Sequence, residues 1–551
     1  MQDFARHPDL PAKLGDLPYA SLGAMLAKTA ARYPDQPAFR NMGGSLSYRE
    51  LQRLSAQFAD YLTTSLRLSR GDRVAIMLPN LLQYPVALYG ILRAGLVVVN
   101  VNPLYTAREL HHQLADSGAA AILVAANFAA VVEQARAETP LKHVIVTELG
   151  DLLPTPKRWL VNAAVRYVKK MVPPYHLPDA IAFRRALAAG QAARWRDAAV
   201  QADELAILQY TGGTTGVSKG AMLSHRNLLA NVEQARLVLG RGLVEGQAAV
   251  ATPLPLYHVL ALTVNCFLVN RIGGTSLLIT NPRDIPGMVA ELAKYPVNAF
   301  IGVNTLFNAL AHHADFAKLD FSGWKVSIGG GAAVQRAVAD SWQKITGLTL
   351  LEGYGLTETS PLVSVNSLAN PAYTGTVGLP VPDTEVRLRN DAGEDVADGE
   401  PGEVCVRGPQ VMAGYWQRPE ETAKVFHADG FFATGDIGVR TVDGMLKLVD
   451  RKKDMVLVSG FNVYPNEIED VVAQHPGVRE VACIGVPDER SGEAVKIVVV
   501  RKDPALQADE LLGFCRDKLT AYKVPRHVEF REELPKSNVG KILRRELRQP
   551  A

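Results

Sequence analysis

A chain of 551 residues exceeds what one hydrophobic core ordinarily supports, so a large multi-lobed domain and at least one smaller domain are expected. With 48% hydrophobic residues, 21% charged residues and a formal net charge of +3, the composition excludes a disordered chain and one that coats nucleic acid by bulk charge. The four cysteines, Cys266, Cys405, Cys483 and Cys515, lie far apart without CxxC spacing or paired histidines, which argues against zinc or a disulfide framework and for buried thiols in a reducing cytoplasm. The opening MQDFARHPDL lacks the apolar core of an export signal. The apolar stretches 84–101 and 256–269 are broken by Arg93 and by His258 and Asn265, so no transmembrane helix is expected.

Along the chain, Ser47 with Glu50 three residues on forms a capping box that starts a helical-period segment over 50–66. Short β-branched runs at 74–78, 96–101 and 120–124 alternate with this segment and with another at 109–116, a pattern that predicts parallel strands covered by helices. KRWLVNAAVRYVKK at 157–170 holds five Lys or Arg and no acid. At about 100° per residue, Arg158, Asn162, Arg166, Lys169 and Lys170 gather on one arc, with Trp159, Leu160, Ala163, Ala164, Tyr167 and Val168 mostly outside it, which predicts a basic amphipathic helix ended by Pro173 and Pro174. Past Gly375 the texture turns to acid-rich turns and short strands, a β-rich lobe. DRKKD at 450–454 is a charged joint, followed by a compact α+β unit. The expected fold is therefore α/β: an N-terminal domain over 1–450, made of two helix-covered sheets plus the β-rich lobe, and a small mobile α+β domain over 451–551.

The strongest chemical signal is YTGGTTGVSKGAM at 210–222, where a strand runs into Gly, Thr and Ser residues with one lysine. Such a loop can turn backbone N–H groups, hydroxyls and an ammonium toward phosphate oxygens. It is not a Walker A loop, because Gly220 follows Lys219 where that motif has Ser or Thr. Composition alone leaves phosphate binding and a plain flexible turn both open.

The full set of motifs goes further. Thr211 to Gly220, EGYGLTE at 352–358, TGD at 434–436, DRKKD at 450–454, SGFNVYPNEIE at 459–469 and PKSNVGK at 535–541 follow one another in an order and spacing that resemble the adenylate-forming superfamily of acyl-CoA synthetases, luciferases and adenylation domains. Within it, PLPLYHVLALT, GPQVMAGYW, VLVSGFNVYPNEIEDVV and LPKSNVGKILRREL are similar to bacterial long-chain-fatty-acid–CoA ligases. The resemblance implies that ATP, a fatty acid and coenzyme A are substrates, with Mg²⁺ as cofactor. Thr211, Gly212, Gly213, Thr214, Thr215, Gly216 and Lys219 would cradle phosphates. Gly331, Glu352, Gly353, Tyr354 and Gly355 would form the adenine pocket, with the Tyr354 ring on the base. Thr357 and Glu358 would hold the α-phosphate and the metal, a hard cation suited to oxygen ligands. Asp436 and Arg451 would take the ribose. Lys541 would be catalytic together with Thr211, Glu358 and His258.

The resemblance also places Ser459, Gly460 and Phe461 at coenzyme A, makes Lys453 the hinge, and lines the acyl pocket with His258, Leu262, Gly302, Val303, Gly329 and Gly330. Residues 251–270 contain no carboxylate, whereas a site for an amino acid needs an anion for the ammonium. Leu262 stands where some long-chain relatives carry a gating tryptophan, so the gate stays unassigned. Alternatives are a ligase for medium-chain or aryl acids, an acyl-AMP ligase that loads a separate carrier protein, and an uptake protein with vestigial machinery. The last is opposed by the intact Lys219, Glu358, Asp436, Arg451 and Lys541. Because long-chain acids partition into bilayers, the 157–170 helix is expected to lie on the inner face of an anionic membrane rather than to pack its apolar side on its own domain. No nucleic-acid partner is expected, and oligomeric state, a homodimer included, is left open.

Overall fold

The computed structural model describes residues 4, 10–211, 218–240, 242–370, 372–459, 461–488, 490–537 and 540–548. A seven-stranded sheet runs in the order Ile181–Ala182, His143–Thr147, Ala119–Ala125, Arg73–Met77, Val97–Asn100, Leu205–Thr211 and Lys219–Ser224. Every neighbouring pair is parallel except the last, a hairpin in which Thr211 faces Lys219. The three predicted strands are its centre, and they read as unbroken apolar runs because helices cover both faces. The helices Tyr48–Asp60 and Ala107–Ser117 both start on complete capping boxes, from Ser47 and Thr106. Each box satisfies end N–H groups that the helix itself leaves unpaired.

A second, nine-stranded sheet has a parallel centre, with Val326–Gly329 between Ala299–Gly302 and Leu351–Gly355. The buried helical stretch Ala261–Leu268 lies between two of its strands in sequence. After residue 375 comes the antiparallel β lobe: Glu385–Arg389, Gly402–Arg407, Phe432–Arg440 and Leu446–Arg451. The smaller C-terminal domain pairs Val478–Asp488 with Gly492–Arg501 and adds Val456–Val458, Phe461–Val463 and His527–Arg531. Its core is its own, built on Val463, Ile468, Val472, Cys483, Ile497, Val499, Leu511 and Cys515. All four cysteines are buried free thiols.

The helix expected at 157–170 forms as Lys157–Ala163 and continues as a wider turn over Ala164–Val168. Its orientation departs from that of a helix packing its apolar side on its own domain: Asn162 and Arg166, on the polar arc, bond to the protein, while Trp159, Leu160, Tyr167 and Val168 stand in solvent. Among the described residues no helix is long and apolar enough to cross a membrane.

Candidate active site

The site is assembled where the two large sheets, the β lobe and the C-terminal domain meet. The Leu205–Thr211 and Lys219–Ser224 hairpin presents Thr211 and Lys219 side by side, because they face each other in the ladder. Gly212, Gly213, Thr214, Thr215 and Gly216 lie outside the described residues. The segment 412–416 is sewn to this hairpin: Met222 N–H donates to Gly414 O at 2.9 Å and Trp416 N–H to Gly220 O at 2.8 Å. That brings Tyr415 under Lys219, whose ammonium sits 5.0 Å from the ring centroid and pairs with Glu421.

The Tyr415 hydroxyl donates to Glu358 Oε1 at 2.8 Å, and Met412 N–H donates to the Glu358 carbonyl at 2.8 Å. Burial pushes the Glu358 carboxyl up, and the bond from Tyr415 opposes the shift. Tyr415 therefore ties the loop lysine to the carboxylate assigned to the metal. Tyr415 is not among the site residues expected from sequence; the signal that marks it is an aromatic directly after the glycine of GPQVMAGYW. Tyr415→Phe should remove one hydrogen bond to a charged group, about 1.5 kcal/mol, and leave the ring beneath Lys219. The expected result is a rise of roughly tenfold in KM for MgATP at little change in kcat, read by steady-state kinetics; an unchanged KM would show that Glu358 is positioned without it.

A second constellation joins the nine-stranded sheet to the β lobe. Tyr354 donates its hydroxyl to Asp436 Oδ2 at 2.8 Å, and Arg451 Nε lies 3.2 Å from Asp436 Oδ1. Asp436 and Arg451 are direct partners in the antiparallel ladder, so strand register alone sets that pair. The Tyr354 ring, assigned to adenine by the resemblance, is only 6% exposed and packs in the lobe's core with Val363, Val404 and Leu446. Next to it, Glu352 accepts from Val334 N–H at 3.0 Å, and burial raises its carboxyl to about 7. Gly355 packs so closely on Pro361 that a Cβ would collide with its carbonyl, and Gly331 adopts a left-handed φ of +77°, conformations that favour glycine at both positions. Gly353 pairs with Val365 in the same sheet, and Thr357 opens the short turn Thr357–Thr359 that carries Glu358.

The apolar side is formed by the buried Leu262 and Val303, by Gly302 and Gly329 at two strand ends, and by Gly330, where a Cβ would lie 3.2 Å from Leu260. His258 opens this wall. Its Nδ1 accepts from Leu260 N–H at 3.4 Å, which leaves the ring proton on Nε2. Burial, and then the charge of Lys541, lower its pKa to about 4, so the imidazole is neutral at pH 7.

Lys541 arrives from the C-terminal domain, where Ser537 N–H donates to Lys541 O at 2.7 Å. The adjacent Gly540 carbonyl accepts from Thr305 Oγ1 at 2.8 Å, and bonds across the same face include Arg336 N–H to Asp470 Oδ1 at 3.2 Å and Asn308 Nδ2 to Arg479 O at 3.1 Å. Burial lowers the Lys541 pKa to about 8, helped by Arg451, Arg544 and Lys453 and opposed by Asp436. Those charges lie near enough to act on the buried ammonium. Lys453, in the turn after Arg451, is lowered by burial and by Arg451.

The residues assigned to coenzyme A are held elsewhere. Ser459, at a φ of +51°, donates its N–H to Ser491 O at 2.8 Å, and Phe461 is 57% exposed and stacks on Tyr522 with centroids 4.9 Å apart, all within the C-terminal domain. Gly460 lies outside the described residues. Arg544, one of a run of tail cations that could have been solvated, is instead enclosed by Asp450 at 3.0 Å, Glu469 at 2.8 Å and Asn466 at 2.5 Å.

The comparisons with known proteins agree with this architecture. The family described as AMP-binding enzyme matches residues 26–416, and the AMP-binding enzyme C-terminal domain matches residues 467–541. The chain belongs to the AMP-binding enzyme family. A long-chain-fatty-acid–CoA ligase of Salmonella typhimurium is 60% identical over 547 residues, 99% of this chain and 97% of that protein. Among solved structures, a benzoate CoA ligase from Burkholderia xenovorans aligns with a TM-score of 0.83 at 26% identity, covering 96% of this chain and 100% of that one. An anthranilate CoA ligase in complex with anthranoyl-AMP aligns with a TM-score of 0.87 over 97% of this chain and 98% of that one; at 24% identity it speaks for the fold alone.

Proposed function

We propose that this chain is a long-chain fatty acid–CoA ligase that consumes ATP, forms an acyl-adenylate and passes the acyl group to coenzyme A, with AMP and pyrophosphate as the other products. The observation that carries the reading is the seating of the Lys541 loop on the large domain, through the Gly540 carbonyl and Thr305, close enough for the lysine charge to act on His258. The full-length likeness to long-chain-fatty-acid–CoA ligases supports the substrate class.

In the first half-reaction a carboxylate oxygen of the fatty acid attacks the α-phosphorus of ATP and the bond to pyrophosphate breaks. Asp436 accepts from the ribose hydroxyls, Tyr354 orients Asp436, and Arg451 supports the same sugar. The Lys541 ammonium donates to the negative charge that builds between the attacking and leaving oxygens. The neutral His258, with Nε2–H free of the Leu260 contact, can donate to the fatty carboxylate without neutralising its nucleophilic oxygen. Thr211 and Lys219 belong to the phosphate cradle.

A hard oxygen set of Glu358 and neighbouring hydroxyls fits Mg²⁺, which ordinarily takes one or two protein carboxylates and fills its shell from phosphates and water. When bound, that ion neutralises phosphate charge. In the second half-reaction the thiolate of coenzyme A attacks the acyl carbonyl carbon and AMP leaves. Two arrangements are needed for two chemistries, so we place the domain boundary at 450/451 and the hinge at Lys453, about which the C-terminal domain withdraws Lys541 and presents Ser459, Gly460 and Phe461. Contact with the inner, anionic face of a membrane from the cytoplasm belongs to the same proposal, since the substrate partitions into bilayers.

Pyrophosphate release measured with acids of graded length, with and without coenzyme A, tests the reading. Acid-dependent release, the highest kcat/KM with long chains and acyl-CoA as product are expected. A preference for aryl or medium-chain acids, or acyl-AMP that goes to a carrier protein and not to coenzyme A, would replace it with one of the alternatives.

A further inference from the structure

The helix over Lys157–Ala163 and its continuation Ala164–Val168 are attached to the protein the wrong way round for an ordinary surface helix. Among the described residues ten large hydrophobic side chains stand exposed; four of them, Trp159, Leu160, Tyr167 and Val168, fall in this one segment and a fifth, Met171, lies three residues beyond it. Trp159 is 62% exposed, Leu160 67% and Tyr167 73%, and no residue of the helix is buried. The side that faces the protein is anchored by polar bonds, with Val161 the apolar residue packed inward beside them. Asn162 Oδ1 accepts from Gly150 N–H at 2.8 Å, and Arg166 donates to Glu148 Oε1 at 2.6 Å from Nη2 and 3.1 Å from Nε. Asn127 Nδ2 donates to the Met171 carbonyl at 3.0 Å and pins the far end. These bonds fix which side points outward, so the apolar exposure is built in and is not the fraying of a loose end.

Within the segment the charge is of one sign. Lys157, Lys169 and Lys170 are exposed, the Arg158 guanidinium lies 5.4 Å from the centroid of the Trp159 ring, and residues 157–170 contain no Asp or Glu. Trp and Tyr suit the headgroup level of a bilayer, where an amphipathic ring is half wetted, and lysine stems can lie along an apolar surface while their ammonium groups reach anionic headgroups. A second copy of this chain is a poor occupant: a two-fold contact sets the same patch against itself and would oppose two cationic rims without a carboxylate between them.

We propose that the outward face of Trp159, Leu160, Ala163 and Tyr167, rimmed by Lys157, Lys169 and Lys170, is the docking surface of the enzyme on an anionic lipid bilayer. The proposal deepens the functional reading above, on which it rests for the reason a membrane is needed. Apolar burial and attraction to anionic lipid both contribute, so binding weakens with salt but keeps a salt-resistant part.

The test is co-sedimentation of the full chain with phosphatidylcholine vesicles, with and without phosphatidylglycerol, in the absence of ATP and coenzyme A. The parent is expected to bind the anionic vesicles and to be partly released by salt. The variant Trp159→Ser, Leu160→Ser, Tyr167→Ser should lose roughly tenfold or more in affinity, and Lys169→Glu with Lys170→Glu should weaken binding and flatten its salt dependence. Arg166 is left unchanged because it is committed to Glu148. Trp159→Phe, a minimal change on an exposed side chain, should keep binding yet lose the vesicle-induced blue shift of tryptophan emission. Binding of the serine variant at the parent's level, or a blue shift that survives in Trp159→Phe, would overturn the proposal. So would a serine variant that breaks a dimer in sedimentation analysis while binding vesicles normally. Activity on a soluble short acid should be unchanged in all variants, and because vesicle binding is read without turnover, failure of this surface and failure of the ligase reading give different results.

Discussion

Lys541→Ala is expected to abolish most acyl-adenylate formation while leaving thioester formation from supplied acyl-AMP largely intact. A preorganised donor aimed at developing charge is worth about 3 kcal/mol, or roughly a hundredfold in rate. Only the first half-reaction creates charge at the α-phosphate, which is why the two halves should separate; equal loss in both would refute the assignment. The pH dependence is a second mark of the same residue. With the Lys541 pKa lowered to about 8, kcat/KM for adenylation should be full where the ammonium is protonated and fall as pH rises through about 8. Lys541→Arg, slower because its donor geometry differs, should lack that alkaline limb, since a guanidinium stays protonated. ATP–pyrophosphate exchange measured across pH reads both effects.

Arg544→Ala should be the most damaging substitution for the stability of the C-terminal domain. The Arg544 side chain is 14% exposed and its partners Asp450 and Glu469 are 1% and 13% exposed, so the change leaves two enclosed carboxylates without their cation. Breaking such a pair from one side costs about 3–5 kcal/mol. Burial already raises the Glu469 pKa in the intact protein, and Arg544 opposes the shift. Without Arg544 the native state takes up a proton more readily than the unfolded chain, so the deficit should shrink as pH falls and grow toward neutrality. Urea denaturation of the full chain across pH measures this. A loss below about 1 kcal/mol would mean that solvent screens the cluster as it screens surface pairs. Because Arg544 lies three residues beyond Lys541 on the same tail, adenylation should fall with it, whereas supplied acyl-AMP distinguishes a displaced lysine from an unfolded domain.

Much of the architecture was legible in the amino-acid order because it depends on local rules. The Ser47 and Glu50 box starts a helix wherever it is placed, and the apolar runs at 74–78, 96–101 and 120–124 can be satisfied only inside a sheet covered on both faces. The β-rich lobe after residue 375 followed from turn residues, and the site motifs from their order along the chain. Tertiary structure decided matters for which no local pattern exists. The hydroxyl of Tyr415 reaches Glu358 across 57 positions, and the Arg544 guanidinium reaches Asp450 across 94. Helical periodicity separated Asn162 and Arg166 from Trp159, Leu160 and Tyr167 but could not say which side would point inward, and it grouped the exposed Lys169 and Lys170 with the inward pair. That choice was made by Glu148 and the Gly150 amide, which offered Arg166 and Asn162 hydrogen bonds at distances no contact with the apolar face replaces, and so left Trp159, Leu160 and Tyr167 in solvent.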